Sequence, residues 1–305
     1  MNFMGSKMPP PLESFGYVMH PADAEEPILS PVMRRVLLEW LEEYWARDAL
    51  AEVGLQARRR ALLNGLPGTG KTTLAHHLAA RIGLPLLVVQ SEKVISKYVG
   101  ESAQHVGGLF EALTASAQAG DPHFLFLDEF DSLAARRRDG ESSADQSYNH
   151  MVNTLLAHLE RHDGFVIAAT NFGDRIDEAV WRRFEINITL ELPGLNERKR
   201  ILARYLAPFV LPPAALQALA GAMDSATPAL MRQFAESIKR QIVVGEAAGW
   251  VMNRQTVIER VLATVRPHPD AQQPRLWTEG VNDASVAHFP WPLHRALDDY
   301  QQEEN

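Results

Sequence analysis

The chain reads as an α/β fold, a parallel five-stranded sheet with helices on both faces, followed by a small four-helix domain. Three observations predict this. Apolar runs alternate with helical periodicity from residue 61 to residue 190, the pattern of a sheet buried on both faces. A glycine-rich loop, Gly65-Leu66-Pro67-Gly68-Thr69-Gly70-Lys71-Thr72, joins the first of those runs to a helix. Past Pro193-Gly194 the strand signals stop and helical patterns take over.

Residues 1–26 are rich in Pro, Gly and acids and read as a mostly irregular lead-in, in which Phe15, Tyr17 and Val18 make a local apolar contact, with a nucleotide base as one candidate surface. From residue 32 to about 53, Val36, Leu37, Trp40, Leu41, Tyr44 and Trp45 recur at helical spacing. The five strands are expected at residues 61–64, 84–89, 123–127, 164–169 and 186–190, with helices at 73–80, 102–119 and 148–159 between them. These make one domain over residues 27–193. Residues 194–266 carry four expected helices, at 197–207, 214–222, 228–247 and 254–265, the first with Asn196 as its N-cap. Residues 267–305 turn to Pro, Asp, Gln and Trp and read as an extended tail that docks through Phe289-Pro290-Trp291-Pro292-Leu293.

Composition narrows the function. The 305 residues are 46% hydrophobic with a net charge of −8 and a pI near 5.8, an acidic balance that argues against a dedicated nucleic-acid binder. The basic clusters Arg58-Arg59-Arg60 and Arg136-Arg137-Arg138 are short and flanked by acids. With no cysteine, disulfides, zinc–thiolate sites and thiol catalysis are excluded. No apolar run approaches the roughly 18 residues that span a bilayer, and the N-terminus lacks a signal-peptide pattern. A cytoplasmic protein without a membrane partner is expected. His158 and His162 have i, i+4 spacing but no third ligand nearby, so no metal centre is expected there.

The glycine loop carries the first chemistry. Strand, glycine loop and helix start are the context of a phosphate-binding loop. Glycines let several backbone N–H groups converge on one point, and the helix N-terminus adds its positive dipole end. Lys71 supplies a mobile charge for the β- and γ-phosphates, and the Thr72 hydroxyl a ligand for Mg²⁺.

Three further segments turn a pocket into a hydrolytic site. Phe124-Leu125-Phe126-Leu127-Asp128-Glu129 is an apolar strand ending in adjacent carboxylates, so Asp128 lies at the carboxyl edge of the sheet, where α/β ligands bind. Asp128 is expected to reach Mg²⁺ through its waters, and Glu129 to polarise a water that attacks the γ-phosphate. Val166-Ile167-Ala168-Ala169-Thr170-Asn171 ends in an amide able to hydrogen-bond both that water and a γ-phosphate oxygen. In Asp177-Glu178-Ala179-Val180-Trp181-Arg182-Arg183-Phe184 the paired arginines read as fingers for a neighbouring subunit's γ-phosphate. A finger acting in trans requires an oligomer.

These segments, in this order, closely resemble the AAA+ ATPases over roughly residues 27–265. The resemblance implies a P-loop NTPase fold in which Gly65, Pro67, Gly68, Thr69, Gly70, Lys71, Thr72 and Thr73 form Walker A, Asp128 and Glu129 Walker B, and Asn171 sensor 1. It also implies a sheet ordered fifth–first–fourth–third–second, a four-helix lid, ATP and Mg²⁺ as cofactors, and a homo-oligomeric ring, usually a hexamer. The adjacent arginines Arg182 and Arg183 are most similar to the katanin and spastin group. Arg232 lies near the place where some members carry a sensor 2 arginine, and a plain surface residue is the competing reading.

The segment Ser96-Lys97-Tyr98-Val99-Gly100-Glu101-Ser102 offers an aromatic and an aliphatic side chain on a loop, where exposed apolar surface marks a contact site. In the comparison this is pore loop 1, with Lys97, Tyr98, Val99 and Gly100 gripping an extended polypeptide; residues 139–149 fall where pore loop 2 lies. The combination points to a stand-alone protein remodeller that threads a client through a ring. Its loop wording loosely suits the bacterial ATPases that open HORMA-domain proteins in antiphage signalling, while partners of subtilisin-type proteases are a second group. A nucleic-acid motor or loader, which lacks such an aromatic loop, and a nucleotide-switched scaffold, which has no need of Glu129, are the competing classes.

Overall fold

The computed structural model describes residues 9–96, 98, 100–135, 143–269 and 271–295. They group into two compact units: one built from residues 9–27, Arg35–Gly65 and Lys71–Leu190, the other from Ile28–Arg34, Leu66–Gly70 and residues 191–295.

The first unit is a six-stranded sheet. Its strands are β1 (Gly16–Met19), β2 (Arg60–Gly65), β3 (Leu86–Val89), β4 (Phe124–Leu127), β5 (Val166–Thr170) and β6 (Ile186–Leu190), in the spatial order β1-β3-β4-β5-β2-β6. The five expected strands are all present and parallel, with β2 between β5 and β6 (Asn64 opposite Thr170 and Thr189). Every side chain of β3, β4 and β5 is buried, which is why these segments read as unbroken apolar runs. Leu62, Leu87, Val89, Leu125, Leu127, Val166 and Ala168 share one face and one core with the helices Glu101–Gln118 and Ser143–Arg161. The helix Lys71–Ile82 packs against β2, β3 and β5 and buries Leu74, Ala75, Leu78 and Ala79.

In the first unit two expectations need correction. Among its described residues the lead-in holds a strand: β1 pairs antiparallel with β3, with Gly16 opposite Val89 and Met19 opposite Leu86. Leu12 and Phe15 are buried in the core, Val18 packs against it, and Tyr17 stays half exposed. A Cβ on Gly16 would lie 1.8 Å from the Val88 carbonyl oxygen, so the close approach of this edge strand requires glycine. The single helix expected over 32–53 is two, Pro31–Trp45 and Arg47–Glu52, separated at Ala46.

Residues 194–266 of the second unit hold the four expected helices, Leu195–Leu206, Pro213–Ala222, Pro228–Ala248 and Arg254–Thr264. Thr227 caps the third by accepting from the Leu230 N–H at 3.2 Å, and Asn253 caps the fourth through the Thr256 N–H at 2.9 Å. Asn196 is not the cap of the first helix; it lies in the opening turn, after Gly194. The tail docks through Phe289 and Leu293 as expected, but its described residues are folded and not extended. Arg275–Glu279 and Ala284–His288 are short helices, and Leu276, Val286, Phe289 and Leu293 are buried with Ile201, Met231, Phe234, Ile238 and Val257. The Trp277 indole donates to the Val265 carbonyl at 2.7 Å, and the buried Asp283 carboxylate meets Arg275 at 2.9 Å. His294–Arg295 closes this unit by pairing antiparallel with Phe209–Val210.

Candidate functional site

Strand β2 ends at Gly65 and the next helix opens at Lys71, so the glycine loop spans five residues between two buried elements. Gly68 and Gly70 have φ of +79° and +97°, the left-handed region that glycine enters without steric cost. Inside the second unit, the Gly68 carbonyl accepts from the Ala229 N–H at 3.1 Å, and a Cβ at Gly68 would meet that of Ala229 at 2.9 Å.

The Lys71 side chain is 8% exposed. Its ammonium donates to the Gly65 carbonyl at 2.8 Å and to Asn171 Oδ1 at 2.7 Å. Burial pushes the Lys71 pKa below its ordinary value, and the charges of Asp128 and Asp131 pull it back up. Thr72 Oγ1 donates to Asp128 Oδ2 at 3.4 Å. The ends of β4 and β5 thus converge on the first turn of the helix, with Lys71, Thr72, Asp128 and Asn171 at one carboxyl edge of the sheet. A hydroxyl beside a carboxylate is an oxygen-only donor pair, which fits a hard divalent cation such as Mg²⁺. A buried ammonium at a glycine loop fits a phosphate chain.

Asp128 is itself fixed. Its Oδ1 accepts from the Glu129 N–H at 2.9 Å, and its carbonyl accepts from Ser91 Oγ at 3.1 Å. Glu129 has φ of 48°, the only non-glycine with positive φ among the described residues. That conformation costs an L-residue about 1–2 kcal/mol, and it leaves the Glu129 side chain exposed at the head of the helix Phe130–Ala134. In the first turn of that helix, Asp131 Oδ1 accepts from the buried Thr170 hydroxyl at 2.8 Å.

Other candidates lie at the surface. Arg182 pairs with Glu178, and Arg183 reaches Glu160 Oε1 at 2.6 Å and the Ala179 carbonyl at 3.4 Å, so both arginines are held by residues of their own surface. Tyr98 is 72% exposed. The ends of its loop are anchored: Ser96 Oγ donates to Glu101 Oε2 at 2.6 Å, and the Gly100 N–H donates to Ser147 Oγ at 2.9 Å. Gly100, at φ +84°, caps the helix that follows. Lys97, Val99 and residues 139–142 lie outside the described residues. Arg232 pairs with Glu236 at 2.8 Å and lies over the Tyr205 ring. His158 stacks on Phe110, and His162 meets the same ring edge-on.

Sequence reasoning did not single out Asp131, Thr170 or Ser91, nor the left-handed Glu129. Asp131 is visible as a further acid after Asp128-Glu129, but its partner Thr170 is 39 residues away, and only the sheet order brings β4 beside β5.

Residues 61–192 match the family model described as ATPase family associated with various cellular activities (AAA). Among curated proteins, the uncharacterized AAA family ATPase y4kL of Sinorhizobium fredii is 38% identical over 168 residues, 54% of this chain and 49% of its own. The proteasome-activating nucleotidase of Methanosarcina mazei is 35% identical over 164 residues, 51% of this chain and 37% of its own. The peroxisomal ATPase PEX1 of Komagataella phaffii is 38% identical over 169 residues, 54% of this chain and 14% of its own. The chain therefore spans about half or less of the length of these relatives. Residues 61–192 constitute an AAA ATPase domain, of a family that uses ATP with Mg²⁺.

Proposed function

We propose that this chain hydrolyses ATP within a ring of its own copies, a hexamer, and uses the motion to thread and remodel a protein client. The observation that carries the ATPase reading is the Lys71 ammonium, buried and bonded to both Gly65 and Asn171 beside the Thr72–Asp128 oxygen pair. Mg²⁺, held by Thr72 and Asp128, would supply positive charge against the charge that develops on the phosphates.

In this reading residues 27–193 are the ATPase domain and 194–266 the lid. The N–H groups of the stretch Gly65–Thr73 receive the phosphates, and Lys71 exchanges part of its present bonding for them. Thr72 and Asp128 hold the cation, Asp128 partly through water. Glu129 takes the proton of the attacking water, and its exposed carboxylate is free to face that water. Asn171 orients the same water or a phosphate oxygen. Arg182 and Arg183, at an exposed corner, serve the site of the next copy.

The Tyr98 loop supports the threading step. An aromatic ring 72% exposed, on a loop fixed at both ends, offers grip without sequence preference. Lys97, Val99 and Gly100 complete that contact in the proposal. The relatives include a proteasome-activating nucleotidase, a name that suits a protein client. The loop wording Lys97-Tyr98-Val99-Gly100-Glu101-Ser102 makes HORMA-domain proteins of bacterial antiphage systems the first client group to test. Replacing Glu129→Gln tests the hydrolytic reading: Mg·ATP affinity is expected to stay, while turnover falls about 10²–10⁴-fold. Normal turnover would remove Glu129 as the base.

A further inference from the structure

Asn171 sits on an irregular segment just past the end of β5, yet its amide oxygen must meet a buried ammonium at 2.7 Å. Nothing in an isolated strand end fixes such a side chain. The residues on either side of it do. Thr170, 1% exposed, donates its hydroxyl proton to Asp131 Oδ1 at 2.8 Å. The Thr170 hydroxyl oxygen in turn accepts the Phe172 N–H at 3.0 Å. An ionised carboxylate only accepts and a backbone N–H only donates, so the direction of this chain of bonds is unambiguous. Bonding to a charged acceptor also makes the first link the strong kind.

We propose that Asp131 and Thr170 are positioning residues that pin the turn carrying Asn171, so that its amide is held against Lys71. Asp131 has a second connection to the same place, because its charge acts on the Lys71 ammonium alongside that of Asp128. The helix Phe130–Ala134 that begins after Glu129 thereby links the Asp128-Glu129 corner to the Asn171 corner. The two ends of neighbouring strands β4 and β5 are set as one rigid piece. A misplacement of about 1 Å in such a group can cost about a hundredfold in rate. This inference rests on the proposed role of Asn171 in hydrolysis.

The test uses the full chain and three variants. Thr170→Val keeps the shape and removes the hydroxyl; kcat is expected to fall about ten- to a hundredfold with KM for ATP within about threefold. Thr170→Ser restores the hydroxyl and is expected to recover most of kcat. A second readout needs no nucleotide: amide exchange at Phe172 is expected to accelerate at least about tenfold in Thr170→Val and to return to wild-type protection in Thr170→Ser. Wild-type kcat and Phe172 protection in Thr170→Val, or failure of Thr170→Ser to rescue both, overturns the proposal. Asn171→Ala run in parallel separates the two claims. If it leaves kcat unchanged, the hydrolytic role of Asn171 falls, while Phe172 exchange still decides whether the pin exists.

Discussion

Two parts of the first unit carry polar and aromatic groups of interest, and they are built in opposite ways. At the carboxyl edge of β2, β4 and β5, Lys71 bonds Asn171, Thr72 bonds Asp128 and Thr170 bonds Asp131, and Lys71 and Thr170 are nearly closed to solvent. At the surface, Tyr98 projects into water, while Arg182 and Arg183 rest on Glu178 and Glu160. The first group is preorganised by the sheet. The second makes contacts worth little in themselves, since exposed ion pairs contribute about 0–1 kcal/mol. Side chains held that loosely are free to exchange an intramolecular partner for an intermolecular one. In the proposed function the inner group binds and cleaves, and the outer group meets other polypeptides.

The largest expected effect breaks the outer group where it would complete the inner one. Arg182→Ala or Arg183→Ala should lower turnover about 10³–10⁵-fold if that arginine is the finger, with the fold intact by circular dichroism. A loss of ATP binding of similar size would place these arginines in a different role. Next, Tyr98→Ala should abolish processing of a protein client while sparing most ATPase activity. At 72% exposure its stability cost should stay within about 0.5 kcal/mol, read from a urea melt. Unchanged client processing would remove the threading step.

The smallest effect concerns the inner group alone. Burial lowers the folded-state pKa of Lys71 below its ordinary 10.5. Below both values the protonated side chain carries its full burial cost. As pH rises through the lowered folded value toward 10.5, the folded form sheds the proton before the unfolded form does, so stability rises. Wild type should therefore gain stability relative to Lys71→Met between pH 7 and pH 10, measured by urea unfolding at both. A difference that does not change with pH would mean that the ammonium is not penalised in the fold.

The contrast also explains what was legible in the chain. The glycine loop, the five parallel strands and the Asp128-Glu129 pair announce themselves because each is a local pattern: a turn chemistry, an apolar run, a strand end. Strand β1 does not, since Gly16-Tyr17-Val18-Met19 is four residues long and its pairing partners run from Leu86 to Val89, far along the chain. The left-handed Glu129 leaves no mark on residue type, because Asp-Glu-Phe carries no turn signal. The Asp131–Thr170 bond depends on β4 and β5 being neighbours, a property of the sheet and not of either segment. The tail after residue 267 shows its docking segment, Phe289-Pro290-Trp291-Pro292-Leu293, in the sequence, but not its short helices or the burial of Leu276 and Val286. Those two stand in a polar stretch and are covered only because the helical unit presents a complementary face.

The central claim is that hydrolysis takes place at a site shared by two copies. Mixing Glu129→Gln protein with Arg182→Ala/Arg183→Ala protein tests it most directly, because each is expected to be inactive alone. In a mixed ring, an arginine-deficient copy keeps its own Lys71, Asp128 and Glu129 and can take its arginines from a Glu129→Gln neighbour. Random head-to-tail assembly of an equal mixture then predicts recovery of roughly a quarter of wild-type turnover. Turnover no higher than the sum of the two separate preparations would contradict the account.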